Sequence, residues 1–301
     1  MDRRQFLTTF AAALCLRAAL SESLAAGSAT SIIPLWEGTP PGGGGPKGER
    51  SISARGAVSY VDIPTLSALR PVKPNGRAVL IAAGGGYKRI EMAKEAWPAA
   101  QWLAQRGYAP YVLCYRLPGE GWRDGNLVAL QDAQRALRVV RQRHGEVSVL
   151  GFSAGGHLLG MAALRPDFAS YPPRDALDRR PASADGAALI YPVVTLEAPY
   201  NHTSTHKLLV GNHPAAGEEA RWALQTYVTP QSPPLFLAQA EDDHVSIPQN
   251  TLILAAACRR EGVPVGMHRY RTGGHGFGMG RPGTPTAAWP AAYEAWLCRR
   301  R

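Results

Sequence analysis

The run Val147-Ser148-Val149-Leu150-Gly151-Phe152-Ser153-Ala154-Gly155-Gly156-His157 constrains the rest of the chain more than any other stretch. Its first residues are short, apolar and β-prone, and the run breaks at Gly151. From Ala154 the pattern becomes helical through His157 to Leu164. Ser153 therefore sits in G-x-S-x-G between a strand and a helix, the setting that gives this motif its chemical meaning. Such a turn forces the serine backbone into a strained conformation, so its flanks must be small. The hydroxyl then projects beyond the strand end, beside the free N–H groups of a new helix. The alternative is a glycine-rich connection that merely closes a βα unit, and the remaining sequence has to decide between the two.

Strand-like runs and helical periodicity alternate through the rest of the chain. The pattern predicts strands over 77–83, 108–115, 147–150, 185–191, 234–240 and 265–270, with an earlier one over 58–63. It predicts helices over 95–106, 126–143, 154–164, 218–227, 248–261 and 286–297. Leu127, Leu130, Leu137 and Val140 share one face of the second helix. Alternation of this kind predicts an α/β fold: one mostly parallel sheet flanked by helices on both faces. No internal repeat interrupts it.

In such sheets, reactive groups gather at the C-terminal ends of the strands. Ser153, Asp242-Asp243 and His275 each follow a predicted strand, and the order Ser, Asp, His is that of an α/β-hydrolase. The chemistry needs all three types. A serine hydroxyl is a poor nucleophile until an imidazole takes its proton, and a carboxylate must fix the imidazole tautomer and stabilise its charge. Asp243-His244-Val245 fits the usual Asp-x-hydrophobic arrangement, which makes Asp243 the expected acid and leaves Asp242 to cap or solvate. Ala83-Gly84-Gly85-Gly86-Tyr87 ends an early strand. Its glycines suit an oxyanion hole, where losing one donor costs about 3 kcal/mol. The expected donors are the N–H groups of Gly85, Gly86 and Ala154.

These segments, with Tyr115-Arg116-Leu117-Pro118, Asp132-Ala133-Gln134-Arg135-Ala136, Tyr191-Pro192-Val193 and Gly273-Gly274-His275-Gly276-Phe277-Gly278, span roughly residues 50–297. In them the chain resembles α/β-hydrolase esterases related to acetyl xylan esterases and to bifunctional acetyl/feruloyl esterase (BD-FAE-like) domains. The resemblance implies a serine carboxylesterase that removes acyl groups, acetyl foremost, from carbohydrate, with no metal or organic cofactor. Members of this group are often called xylanases, but the sequence shows no paired-carboxylate glycosidase signature. Lipase-like relatives carry a histidine where Ala83 stands, which weakens transfer of lipase-type specificity but not of the mechanism. A peptidase or amidase on the same scaffold, or a non-catalytic carbohydrate-binding protein, are the competing readings.

Other features read more plainly. Asp2-Arg3-Arg4-Gln5-Phe6-Leu7, a modest apolar run and Ala25-Ala26-Gly27 predict a twin-arginine signal over 1–26, hence a periplasmic or secreted protein. Arg17 interrupts the run, so no stable membrane anchor is expected. Residues 27–50 read as an extended lead-in, 51–301 as the catalytic domain, and 195–230 as lid material. The net charge of +10 is scattered, apart from Arg299-Arg300-Arg301, and comes without a basic-aromatic motif, so no nucleic-acid partner is expected. The expected partner is an acylated carbohydrate or small ester. His157 reads as packing behind the nucleophile, and His202, His206 and His213 as lid surface rather than metal ligands. Trp36 and Trp122 read as packing or as sugar-stacking rings. Cys114 and Cys258 read as buried thiols, and with Cys298 they make an odd set that cannot pair completely.

Overall fold

The order in which the strands sit side by side locates the functional crevice. A computed structural model describes residues 29–71 and 73–299, so the predicted signal over 1–26 lies outside the described residues. The strands are β1 (Ala29–Pro34), β2 (Ser51–Ile52), β3 (Val58–Ser59), β4 (Thr65–Leu69), β5 (Arg77–Ala82), β6 (Ala109–Cys114), β7 (Glu146–Phe152), β8 (Gly186–Ile190), β9 (Leu235–Ala240) and β10 (Val265–Tyr270). Eight of them form one sheet in the order β1-β4-β6-β5-β7-β8-β9-β10. The six strands from β6 to β10 in that order are mutually parallel, and they are the six of the alternating series. β4 runs antiparallel to both β1 and β6.

The helices are α1 (Trp97–Gln105), α2 (Val128–Arg141), α3 (Ala154–Leu164), α4 (Ser204–Leu209), α5 (Glu218–Arg221), α6 (Gln249–Arg260) and α7 (Trp289–Arg299). The chain moves outward from β5 to β6, then reverses and crosses β5 to reach β7. Right-handed crossovers therefore place α1 on one face and α2, α3 and α6 on the other. α7 returns to the α1 face, where Tyr293 stacks on Trp102 with ring centroids 6.1 Å apart and Glu294 pairs with Arg106 at 2.9 Å. The reversal between β5 and β7 is a topological switch point, the place where open α/β sheets bind ligands.

Register brings the strand ends to one rim. Ala82 pairs with Gly151, Phe152 with Ile190, Ile190 with Ala238, and Ala240 with Tyr270. The loops that follow carry Gly84–Gly86, Ser153, Tyr191, Asp243 and His275. Their supports are apolar and dry: Leu80, Ile81, Val149, Leu150, Leu189, Ile190, Phe236 and Leu237 have no exposed surface.

Three expectations change. The lead-in over 27–50 is partly structural, because Ala29–Pro34 is the edge strand β1. It escapes a pattern search because Ile33 packs on the core while Ile32 is exposed and polar residues precede them. The strand expected over 58–63 stops at Ser59 and pairs with Ser51–Ile52, plus a single bridge from Val58 to Ile90, since Tyr60 turns to a positive φ of 56°. The sheet strand is instead Thr65–Leu69, anchored by buried Leu66 and Leu69. The helix expected over 218–227 breaks after Arg221, because Ala223 is extended (φ −93°, ψ 121°) and buried before a 3₁₀ turn over Leu224–Tyr227.

Candidate active site

Ser153 occupies a backbone conformation that non-glycine residues avoid, φ 50° and ψ −118°, directly between β7 and α3. The glycines around it have steric reasons to be glycine. A Cβ on Gly151 would lie 2.5 Å from the Gly155 carbonyl oxygen, and one on Gly155 2.3 Å from that of Ala82. Helix and sheet thus close to a distance that no larger residue allows, and the turn lifts the hydroxyl off the strand end.

The Ser153 hydroxyl lies 2.8 Å from His275 Nε2, and His275 Nδ1 lies 2.8 Å from Asp243 Oδ2. Ser153 and His275 are separated by 122 residues in sequence, yet the shared rim brings them together. Asp243 is 1% exposed and heavily solvated by the protein itself. Its Oδ1 accepts the Val245 and Ser246 N–H groups at 2.8 and 3.0 Å, and its Oδ2 accepts from Gln239 at 3.0 Å. These donors replace water around a buried charge. Asp242 points elsewhere: Oδ1 accepts the Gly274 N–H at 2.8 Å, and this bond, with that of Gly273, holds its carboxyl below the usual range. The two adjacent carboxylates divide the work, one against the imidazole and one against the backbone that carries it.

Gly85 and Gly86 line the same cavity as Ser153 and His275, about 260 Å³ in volume. Both have positive φ, 121° and 63°. Their N–H groups make no hydrogen bond among the described residues. Ala154 begins α3, so its N–H has no intrahelical partner either. Gly84 differs, because its N–H is already committed to Glu95 Oε2 at 2.6 Å.

Glu95 carries no signal in the sequence beyond that of an acid starting a helix. In the structure it lies on a single π-helical turn, Met92–Ala96, a widening that favours functional sites. The carboxylate is 3% exposed and sits beneath the glycine loop and Ser153. Tyr191 donates to its Oε1 at 2.9 Å. Burial pushes the Glu95 carboxyl up, opposed by the Gly84 N–H, the Tyr191 hydroxyl and the charges of His275 and Lys94.

His157 is fully buried, with Nδ1 3.0 Å from the Tyr87 hydroxyl and Nε2 2.7 Å from the Trp222 carbonyl. A carbonyl only accepts, so Nε2 carries the proton and Nδ1 accepts from Tyr87. Burial lowers its pKa to about 4 and keeps it neutral. It ties the glycine loop to the 195–230 segment. Within that segment His206 is buried rather than a surface residue, with Nε2 2.7 Å from Glu219, while His202 and His213 are exposed. Among the described residues no group of three His, Cys, Asp or Glu is arranged to hold a metal ion. Trp36 and Trp122 are each 6% exposed and belong to the interior. Trp36 donates to Asp132 at 2.8 Å, and Trp122 lies under the Arg116 guanidinium. Arg116 and Asp132 form a fully buried ion pair at 2.8 Å, which explains why both their segments belong to the recognisable pattern. Cys114, Cys258 and Cys298 are free, and burial pushes the first two thiols up to about 11. Among the described residues no helix is long and apolar enough to cross a membrane.

Comparison with known proteins places this geometry in context. A protein named acetylxylan esterase from Xylanibacter ruminicola is 27% identical over 70% of this chain and 43% of its own length. A protein named endo-1,4-beta-xylanase B from Butyrivibrio fibrisolvens is 30% identical over 73% of this chain and 35% of its own length. The chain thus spans less than half the length of these two curated relatives. A crystal structure described as an acetyl ester-xyloside bifunctional hydrolase from Caldicellulosiruptor lactoaceticus superposes with a TM-score of 0.73 at 28% identity, covering 90% of this chain and 96% of that one. A carboxylesterase from Lactobacillus plantarum shares the fold, with a TM-score of 0.65 at 24% identity over 84% of this chain and 97% of that one. The BD-FAE family model matches residues 70–257, from the start of the parallel sheet into α6. With more than half of its length inside that match, the chain belongs to the BD-FAE family of the α/β-hydrolase fold.

Proposed function

We propose that the protein is an exported serine carboxylesterase that releases acyl groups, acetyl foremost, from carbohydrate. The observation that carries this reading is the hydrogen-bonded chain Ser153–His275–Asp243, 2.8 Å at each step, beside the unpaired amides of Gly85, Gly86 and Ala154. Ser153 Oγ attacks the ester carbonyl while His275 Nε2 takes its proton. Asp243 holds the Nδ1 proton and stabilises the imidazolium. The oxyanion forms against the three amides, which need no reorganisation when charge develops. As the acyl C–O bond breaks, His275 protonates the leaving sugar oxygen, and water, deprotonated by the same imidazole, then releases the acid and regenerates Ser153.

The printed names of the similar proteins, acetylxylan esterase and acetyl ester-xyloside hydrolase, support an acetylated sugar as substrate. The twin-arginine pattern at Arg3-Arg4 supports export. The test is hydrolysis of 4-nitrophenyl acetate and acetate release from acetylated xylan. Both reactions should survive a chelator and vanish in Ser153→Ala. Retention of activity in that variant would end the reading. Export is checked by cell fractionation, with Arg3→Lys/Arg4→Lys expected to leave the protein in the cytoplasm.

A further inference from the structure

The cleft in front of Ser153 carries more positive charge than a neutral sugar requires. Lys88, Arg89 and Lys94 line the cavity that holds Ser153 and His275. Arg89 and Lys94 also line an adjoining cavity of about 570 Å³, to which the β2–β3 hairpin adds Arg55. Arg89, Glu91 and Lys94 line both cavities, so the two lie side by side. The hairpin is held in place: Val58 and Ile90 exchange backbone hydrogen bonds at 2.9 and 2.7 Å, and Ala93 N–H donates to Gly56.

The cations of these two walls stand mostly without acid partners. Of Arg55, Lys88, Arg89 and Lys94, only Arg89 pairs with an acid among the described residues, Glu91 at 2.6 Å. Lys88, Lys94 and Arg55 form no ion pair among the described residues. The chain has five lysines, and two of them are these. Lys94 Nζ lies beside the catalytic-histidine loop, 3.0 Å from where a Cβ on Gly276 would be. The one other acid in the wall, Glu95, is buried and committed to Gly84 and Tyr191. No Phe, Tyr or Trp lines either cavity, so a stacking platform does not account for sugar recognition here. Unpaired cations in a concave wall raise the local concentration of anions and speed their capture.

We propose that the substrate is an acylated sugar bearing a negative charge, held by Lys88, Lys94, Arg89 and Arg55 while its ester faces Ser153. This rests on the serine esterase reading and narrows it to anionic saccharides. The anion can be a carboxylate or a phosphate, since both suit a cluster of lysine and arginine.

The test compares three substrates with acetyl at the same ring position: methyl glucoside, its glucuronate counterpart and its 6-phosphate counterpart. Acetate release is measured with the full chain at low salt. The expected kcat/KM for at least one charged substrate exceeds that of the neutral one by about tenfold or more, and the advantage shrinks in half-molar salt. The arm that responds identifies the anion. The same ratio measured in Lys88→Met/Lys94→Met and in Arg55→Met should fall toward one, and a ratio is insensitive to the folded fraction of a variant. A wild-type advantage below about threefold for both charged substrates, or one that salt leaves unchanged, overturns the proposal. If 4-nitrophenyl acetate is hydrolysed in the same preparation, only the charge preference has failed. If it is not, the esterase reading falls and takes this inference with it.

Discussion

The Tyr191 hydroxyl donates to Glu95 at 2.9 Å and accepts the Gly278 N–H at 3.0 Å, so one buried phenol joins the floor of the glycine loop to the loop after His275. Tyr191 adopts φ 40°, and its ring packs edge-on to His275 with centroids 5.1 Å apart. Because Glu95 also holds the Gly84 N–H, the glycine loop and the His275 loop share a single buried carboxylate.

Glu95 should therefore act as a positioning residue. Glu95→Ala leaves the Gly84 amide and the Tyr191 hydroxyl without their acceptor, at about 1–3 kcal/mol for each buried group. Glu95→Gln keeps the shape but turns two donors toward each other at one of its two contacts. The expected result is a loss of both stability and kcat in Glu95→Ala. In Glu95→Gln, kcat should fall about tenfold or more with KM within about twofold, because the reacting geometry changes while the other side chains of the cavity wall stay as they are. Steady-state kinetics and thermal melts of the two variants check this.

The paired carboxylates give a sharper contrast. Asp243→Asn should lower kcat by about 10⁴-fold, because an amide favours the wrong imidazole tautomer. Asp242→Asn keeps an oxygen that can accept the Gly274 N–H and loses only the charge, away from the imidazole, so it should cost far less. If Asp242→Asn were the more crippling, the assignment of the acid would be wrong.

Gly85→Ala tests the amide hole. Gly85 has φ 121°, and an added Cβ would lie 2.2 Å from the Arg89 carbonyl oxygen, so the backbone must move. The expected loss in kcat is about 10²-fold, similar to removal of one oxyanion donor. Labelling of Ser153 by a fluorophosphonate, followed with the melting temperature, separates loss of the hole from loss of the fold.

His157 predicts a pH dependence of stability. Its folded pKa is depressed from 6.5 to about 4 by burial. Between those values the unfolded chain takes up a proton that the folded chain does not, so stability falls as pH drops through that window. The shift corresponds to about 3 kcal/mol at full effect. In His157→Gln, which can still accept from Tyr87 and donate to the Trp222 carbonyl, urea unfolding should depend less on pH between 6.5 and 4 than in the wild type. Equal slopes would show that other groups carry the acid sensitivity.

The Arg116–Asp132 pair should be structural. Asp132→Asn leaves a guanidinium in a fully buried setting without its counter-charge and should lower the unfolding free energy by about 3–5 kcal/mol. Equilibrium denaturation measures this, and a change below about 1 kcal/mol would mean that Gln131 and the Pro41 and Val128 carbonyls suffice.

Much of the architecture was legible because local chemistry and long-range packing agree in it. Five of the six parallel strands are buried on both faces and read as short apolar runs, β10 at the edge being only half-buried, and the elbow at Gly151–Gly155 demands small residues whatever surrounds it. β1 and β4 were not legible. They form the antiparallel end of the sheet with mixed faces, and only the pairing of β4 with β6, and of β1 with β4, gives them a place.

Residue type and chain order alone determined the serine turn, the parallel α/β plan and the candidates Ser153, the Asp242-Asp243 pair and His275, because each depends on backbone sterics or on a periodicity that a local window contains. Tertiary structure alone decided that Asp243 rather than Asp242 faces the imidazole, that Glu95 lies under the glycine loop, and that Lys88, Lys94 and Arg55 converge on one cleft. Those facts depend on strand register and on which loops share a rim. Register is set by the packing of the whole sheet, which no single stretch of sequence encodes.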